Sequence, residues 1–434
     1  MSMGMSKASS IAASISGDDV SGTSAKHGAP YSRRNFMSMM TSVVALGALS
    51  RAGYCVDLGA GLDGAAASER SNAPELVRYP QKADLILLTD RPPQLETPLS
   101  YFRTDLTPND AFFVRWHLEG IPTTVDLRTF RLEVKGQVRN PLSLSLSDLR
   151  SKYEPVSVVA VVQCAGNSRR FFEPRVPGGQ WGNGAMGNAR WKGVRLKDVL
   201  DHAGVLPGAV EVGFRGLDEP PTPKTPAFEK SLHIDHARDG EVMIAYEMNG
   251  EPLPMLNGFP IRLVVPGWFA TYWVKALSSI TVLDQPLKTF WMDKAYRIAS
   301  NPPADEKPDH LSETTVPINR MPVRSIFVSP QQGEQLLKAK PYNLSGIAFD
   351  GGSGIRTVEV STDGGQNWTP AVLGDDLGRY SWRQWQARWI PPSKGSYRLS
   401  VRSVANDGGT QPTAQWNRSG YQRATIESID VVVR

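Results

Sequence analysis

From Val323 onward, short runs of alternating apolar and polar residues are separated by Gly-rich turns. The runs are "SIFVSP", "YNLSGIAFD", "RTVEVSTDGGQNW", "SWRQWQARW", "GSYRLSVRSVANDGG" and "SIDVVVR". A period of two sends successive side chains to opposite faces of a strand. Asp-Gly and Gly-Gly pairs supply the positive φ of tight hairpins. The pattern predicts an all-β, immunoglobulin-like antiparallel sandwich over 320–434. It contains no cysteine, so no inter-sheet disulfide is expected. Trp368, Trp382, Trp385 and Trp389 read as core and edge aromatics.

Upstream the pattern differs. Residues 80–98 are Pro-rich, and 101–300 mix strand-like runs ("FFVRWHL", "FRLEVKG", "VSVVAVVQC", "VEVGFRG", "IRLVVPG") with helical ones ("LSLSDLRSKY", "LKDVLDHAGV"). Gly204 reads as the C-cap of the second helix. The helices are too few for regular βαβ alternation, so residues 80–315 are expected to form a mixed α+β domain. Residues 300–319 have linker composition.

Residues 1–67 read as an export segment. Arg33 and Arg34 precede the weakly apolar "MSMMTSVVALGALS", and small residues suited to cleavage lie near Ala67. Twin arginines in that position predict the bacterial twin-arginine route and a periplasmic protein. No stretch approaches the roughly 20 apolar residues of a membrane helix, so no span is expected in the mature protein. A net charge of +5 without a Lys/Arg stripe interleaved with aromatics argues against nucleic acid as a partner.

The chain has two cysteines, Cys55 and Cys164. If Cys55 leaves with the export segment, Cys164 is a lone thiol. It ends a strand-like run and enters "CAGNSRR", with Arg169 and Arg170 close behind. Three readings stay open: a buried structural thiol, a nucleophile, or a ligand to a soft or redox metal. Nearby cations favour the thiolate and create an anion pocket. Elsewhere, "FFVRWH" puts Arg115 and His117 on one strand face, and "NGFPIRLVVPGWFATYWVKAL" supplies Arg262 and Lys275, donors suited to a large anionic cofactor. His233 and His236 of "HIDH" have helical metal spacing but no third ligand nearby, and they read as solvated. There is no C-x-x-C-H for covalent haem and no G-x-G-x-x-G opening a βα unit for a nicotinamide.

Taken in order, "FFVRWH", "QCAGNSRR", "ARWKGVRLKDVL", "FRGLD", "AYEMNGEPLP", "NGFPIRLVVPG", "YWVKAL" and "VEVSTDGGQNW" resemble the sulfite oxidase family of molybdenum enzymes, from about Tyr101 to Arg434. The resemblance implies a molybdopterin-binding catalytic domain followed by a sandwich of dimerisation type. It implies one molybdopterin, with Cys164 as the protein ligand to molybdenum. Cofactor contacts then fall on Phe113, Val114, Arg115, Trp116, His117, Asp218, Asn257, Arg262, Trp273, Val274 and Lys275. Asn257 stands where animal enzymes carry histidine. Arg115, Arg169 and Tyr296 match the family's substrate residues.

The implied reaction is oxygen-atom transfer to sulfite, giving sulfate and two electrons. With no haem motif in the chain, these are expected to pass singly to a c-type cytochrome. Two alternatives remain. One is a sulfane-sulfur dehydrogenase subunit or another sulfur-oxide oxidoreductase of the same family. The other is a non-enzymatic exported sandwich protein, which would not need Arg115, Cys164, Arg169, Arg262 and Lys275 together.

Overall fold

The computed structural model of the chain describes residues 75–434. The export segment expected over 1–67, with Cys55, lies outside the described residues.

Among the described residues three larger sheets and one two-stranded sheet build the first domain. The first joins Leu76–Arg78, Asp84–Thr89, Gln94–Glu96 and Val114–Arg115. A second runs Glu229–His233, Glu211–Gly216, Leu277–Leu283, Leu132–Gly136 and Leu142–Leu144, with one parallel pairing, between Leu277–Leu283 and Leu132–Gly136. The third matters most for the site. Pro155–Gln163 pairs antiparallel with Met186–Arg195 along its whole length, and Met243–Met248 continues the sheet. From Val159 to Gln163 the strand is buried on both faces, as its continuous apolar character requires. This long hairpin carries the chain directly into Cys164.

Helix is scarcer than the mixed α+β expectation. Among the described residues two α-helices exceed one turn, α1 (Leu146–Lys152) and α2 (Leu196–Ala203). Helix α1 starts in a capping box: the Asp148 amide donates to Ser145 Oγ at 3.1 Å, and the Ser145 amide donates to Asp148 Oδ2 at 2.9 Å. Helix α2 buries Leu196, Val199, Leu200 and Ala203, one face at helical spacing. It ends where Gly204 takes φ 69°, a left-handed conformation that suits glycine. The first domain is therefore a mostly β scaffold with short helices at its edges.

The second domain is the expected sandwich. One sheet orders Arg324–Ser329, Tyr342–Phe349, Arg383–Trp389 and Val372–Leu373. The other orders Gln335–Leu336, Glu427–Val433, Gly395–Ala405, Ile355–Ser361 and Thr369–Pro370. Between them lie Phe327, Leu344, Val358, Trp385, Leu399 and Val431. Trp382, Trp385 and Trp389 are buried, and Trp368 lies at an edge beneath the Arg402 guanidinium.

The two domains share a core. Ile326, Ile347, Phe349 and Trp382 pack into the cluster that holds Phe112, Trp191 and Cys164. Phe102 and Trp382 meet at a centroid distance of 5.1 Å, a pair contributing roughly 0.5–1.5 kcal/mol beyond its buried area. The segment with linker composition is also built in. Thr315–Pro317 pairs with Arg297–Ala299, and Ala304 and Ile318 are fully buried. Its prolines and charges obscure those two apolar anchors.

Candidate active site

Cys164 sits where the hairpin strand ends. Its amide donates to the Ala185 carbonyl at 2.9 Å, and its carbonyl accepts from the Asn167 amide at 3.0 Å, closing a turn. The thiol has no disulfide partner and is buried. Ser168 takes φ 70°, an uncommon conformation for a residue with a side chain. It is held from the second domain, where the buried Arg324 guanidinium donates to Ser168 Oγ and, at 3.3 Å, to Gln163 Oε1. Burial pushes Arg324 down to about 10, partly opposed by Glu427. Burial by itself would raise Glu427, but Arg423 and Arg324 hold it below the usual carboxylate range.

The thiol opens onto a small pocket lined by Phe113, Arg115, His117, Cys164, Asn257, Arg262, Lys275 and Tyr296, together with Phe112, Ala165, Leu256, Ala270 and Thr271. The strand containing "FFVRWHL" pairs only over Val114–Arg115, yet Arg115 and His117 both reach this pocket. Val114, Trp116, Trp273 and Val274 turn their side chains into packed cores. They shape the wall rather than line it.

The pocket is rich in buried positive charge. Arg262 is 4% exposed; its fork donates to the Asn257 carbonyl at 3.0 Å and the Trp273 carbonyl at 3.2 Å, and its Nε has no partner. Burial pushes Arg262 down to about 9. Lys275 is pushed down to about 7, by burial first and then by Arg262; its Nζ lies 4.8 Å from the Trp116 ring centre. Asp218, buried beside it, is raised by its own burial against the pull of Lys275. Lys82 is pushed down to about 7 by burial and donates to the Asn109 and Phe112 carbonyls and to Asn257 Oδ1.

Among the described residues none of Lys82, Arg115, Lys230, Arg262 and Lys275 forms an ion pair with a carboxylate (salt bridges elsewhere in the chain are numerous). Unpaired buried charge costs several kcal/mol per ion. The donor set, with its orphaned guanidinium nitrogen, therefore fits a buried phosphorylated group. The expected molybdopterin meets that description.

Of the residues expected to bind substrate, Arg115 and Tyr296 line the pocket and Arg169 does not. Arg115 donates one nitrogen to the Trp116 carbonyl at 2.9 Å and leaves the rest of its fork toward the pocket. Tyr296 shares a hydrogen bond with His117 Nε2. His117 is stacked on Phe228 at 3.7 Å, and burial, then Arg115, Lys275 and Lys230, push its pKa well down. Burial pushes Tyr296 up. Arg169 points differently from Arg115. It is 7% exposed, and its Nε and Nη1 donate to the Ser419 carbonyl at 3.2 Å and the Gly179 carbonyl at 3.0 Å. The glycine after Cys164 serves this side chain: a Cβ on Gly166 would lie 2.6 Å from the Arg169 guanidinium.

The histidine pair of "HIDH" forms no metal site among the described residues. His233 caps a short helix, and His236 stacks on Trp268 and bonds Asp239 at 2.6 Å. Three site residues were not found by sequence reasoning. Lys230 is 1% exposed, donates to the Trp291 carbonyl at 2.7 Å, and sits 5.4 Å from the Tyr296 ring centre. Its only sequence signal is a lysine inside a strand-like run. Lys82 lies in a Pro-rich stretch and Tyr421 in a polar loop, and neither has a local signal.

Comparison with known proteins agrees with this architecture. Residues 118–291 match the family described as "Oxidoreductase molybdopterin binding domain", and residues 315–425 the one described as "Mo-co oxidoreductase dimerisation domain". Mitochondrial sulfite oxidase of Homo sapiens is 36% identical over 382 residues, covering 83% of this chain and 67% of that protein. Sulfite oxidase of Gallus gallus is 36% identical over 335 residues, covering 73% and 70%. In fold, the chain is similar to the sulfane dehydrogenase SoxCD from Paracoccus pantotrophus, with a TM-score of 0.68 at 24% identity over 85% of this chain and 92% of that one. Sequence similarity over most of the chain, two matched domains and a pocket of buried cations around one thiol make the same assignment: the chain belongs to the sulfite oxidase family of molybdopterin enzymes.

Proposed function

We propose that the chain oxidises sulfite to sulfate at a molybdenum centre held by one molybdopterin and by Cys164. The supporting observation is the convergence of Cys164, Arg115, Tyr296 and the unpaired cations Arg262 and Lys275 on one buried pocket. Arg262, Lys275 and Lys82 bind the phosphate and pterin end, with Asn257 and Asp218 as polar partners and backbone groups of Phe113, Val114, Trp116, Trp273 and Val274 along the wall. A soft thiolate at Cys164 suits a polarisable metal. When bound, the molybdenum centre supplies the transferable oxygen and accepts two electrons.

The chain's own residues bind and orient the substrate. Arg115 and Arg169 hold a small sulfur oxyanion by charge-assisted hydrogen bonds. Tyr296, backed by neutral His117, holds a proton at the phenol oxygen beside that anion. Phe112, Phe113 and Ala270 narrow the pocket and exclude bulk water. Electrons leave singly to a separate c-type cytochrome; the sequence carries no C-x-x-C-H motif for a covalent haem of its own. The Arg33-Arg34 pair supports export by the twin-arginine route to the periplasm. Among the described residues no helix is long and apolar enough to cross a membrane.

The test is metal analysis of purified protein, followed by sulfite titration of its molybdenum–thiolate absorption and turnover with a c-type cytochrome as acceptor. Bleaching by sulfite and stoichiometric molybdenum are expected. Absence of molybdenum overturns the enzyme reading. Turnover of a sulfane-sulfur substrate without sulfite bleaching replaces the substrate.

A further inference from the structure

We propose that Tyr421, supplied by the second domain, is a positioning residue of the substrate pocket that holds Tyr296 and Arg169 in place for the anion. The inference rests on the proposed sulfite site and extends it to a residue that none of the quoted sequence motifs contains.

Tyr296 is bulky and takes φ 58°. That conformation is strained for an aromatic residue and persists only where the surroundings impose it. Its ring is stacked on Tyr421 at a centroid distance of 5.4 Å and an interplanar angle of 8°. The Arg169 guanidinium lies 5.1 Å from the centre of the same Tyr421 ring. One half-buried ring thus contacts both the phenol and the guanidinium assigned to the substrate. Nε and Nη1 of Arg169 donate to the Ser419 and Gly179 carbonyls, and the guanidinium also lies close enough to the Tyr421 phenol to oppose the rise in its pKa that burial causes. Cation–π contact with Tyr421 fixes the guanidinium plane and therefore the direction of its remaining donor.

The loop that carries Tyr421 is itself fixed. Asn417, 1% exposed, accepts from the Tyr421 amide at 3.1 Å and donates to the Tyr421 carbonyl at 3.0 Å and the Ala304 carbonyl at 3.2 Å. Arg418 pairs with the buried Glu306 carboxylate. Ser419 Oγ donates to the Arg297 carbonyl at 3.3 Å, next to Tyr296. The Gln422 amide donates to the Ala165 carbonyl at 3.0 Å, next to Cys164. Gly420 takes φ 57°, and a Cβ there would lie 2.8 Å from Arg169 Cγ. The segment 417–422 therefore touches the neighbours of the thiol, the tyrosine and the arginine at once.

The test compares Tyr421→Met and Tyr421→Phe with wild-type holoenzyme. Methionine keeps bulk without a π face, and phenylalanine keeps the ring. Sulfate binding is measured by calorimetry and sulfite oxidation by steady-state kinetics. Tyr421→Met is expected to weaken sulfate binding and raise the sulfite KM by about tenfold. Molybdenum content and molybdenum–thiolate absorption should stay unchanged. Tyr421→Phe is expected to restore both constants to within about twofold of wild type. If the methionine variant does not accumulate, Tyr421→Leu is read in the same way. Wild-type sulfate affinity in the π-less variant overturns the proposal, as does an equal loss in Tyr421→Phe, which would give the role to the hydroxyl. If wild type binds sulfate but does not oxidise sulfite, the proposed function fails, and the binding comparison still decides Tyr421.

Discussion

His117 Nε2 and Tyr296 Oη are hydrogen-bonded across a gap between two segments that are 179 positions apart. Burial pushes the imidazole pKa down and the phenol pKa up. Both groups are therefore neutral near pH 7. With both groups neutral, the phenol donates its hydrogen bond to Nε2 and keeps its proton, and the imidazole carries its own on Nδ1. The pair stores a proton beside the anion pocket without adding charge.

Replacing Tyr296 by Phe removes that proton and leaves His117 Nε2 without its partner. Loss of a positioned proton donor costs about 100-fold in rate. The Tyr296→Phe variant is expected to lose about that factor in kcat, with a smaller change in KM. Steady-state kinetics checks this, and an effect confined to KM would move Tyr296 from proton handling to binding.

On the proposed assignment, Cys164→Ser exchanges a soft ligand for a hard one at nearly constant volume. The fold around the turn rests on backbone hydrogen bonds and on Arg324, which the substitution spares. Sulfite oxidation should fall by at least about 1,000-fold, on the order of 4 kcal/mol of barrier. The melting temperature should move by no more than about 2 °C. Activity assays and circular dichroism melts check the two halves separately.

Lys275→Met tests the cofactor pocket. Lys275 lies beside Asp218 and Arg262 with no ion-pair partner among the described residues. If its ammonium binds the anionic end of the cofactor, the variant should purify with less than about half the molybdenum and pterin of the parent, one cation contact being worth on the order of 1–3 kcal/mol. Metal analysis and pterin fluorescence after denaturation give the readout. Full loading would remove Lys275 from the binding set.

Lys230→Met separates stability from function. Burial lowers Lys230 from 10.5 to about 7 in the folded chain. Below pH 7 the group is charged in both states, so the full penalty for burying that charge is present. Between about 7 and 10.5 the unfolded chain binds more protons, and stability rises with pH. Denaturant unfolding of the cofactor-free protein should show the variant more stable than the parent at pH 6. The gap should shrink by at most about 1.4 kcal/mol per pH unit as pH approaches 10.

Much of the scaffold was legible in the sequence. The sandwich followed from alternation and turn residues, because a period of two has one structural meaning when glycine pairs bound it. The end of α2 was marked by Gly204, whose role is local, whereas the capping box of Ser145 and Asp148 at the start of α1 was not read from the sequence. Cys164 stood out by its place at a strand end beside arginines, and Arg115, Arg262 and Lys275 as donors within motifs that resemble the family's. What failed was non-local. Arg169 receives its contacts from Ser419, 250 positions later. Lys230 and Lys82 are buried by elements that nothing in their neighbouring residues announces. The 300–319 stretch looked like a tether because composition counts its prolines and charges equally with Ala304 and Ile318. The strand at "FFVRWHL" is short because only Val114 and Arg115 find a backbone partner.

The Arg324 contact with Ser168 spans 156 positions, and Asn183 donates to Glu427 across 244. A chain still emerging from the ribosome therefore has its thiol turn synthesised long before the groups that brace it. Until the later strands arrive, those braces are missing. On the proposed assignment of Cys164 as metal ligand, the completed pocket therefore comes before metal capture, and the whole polypeptide before both.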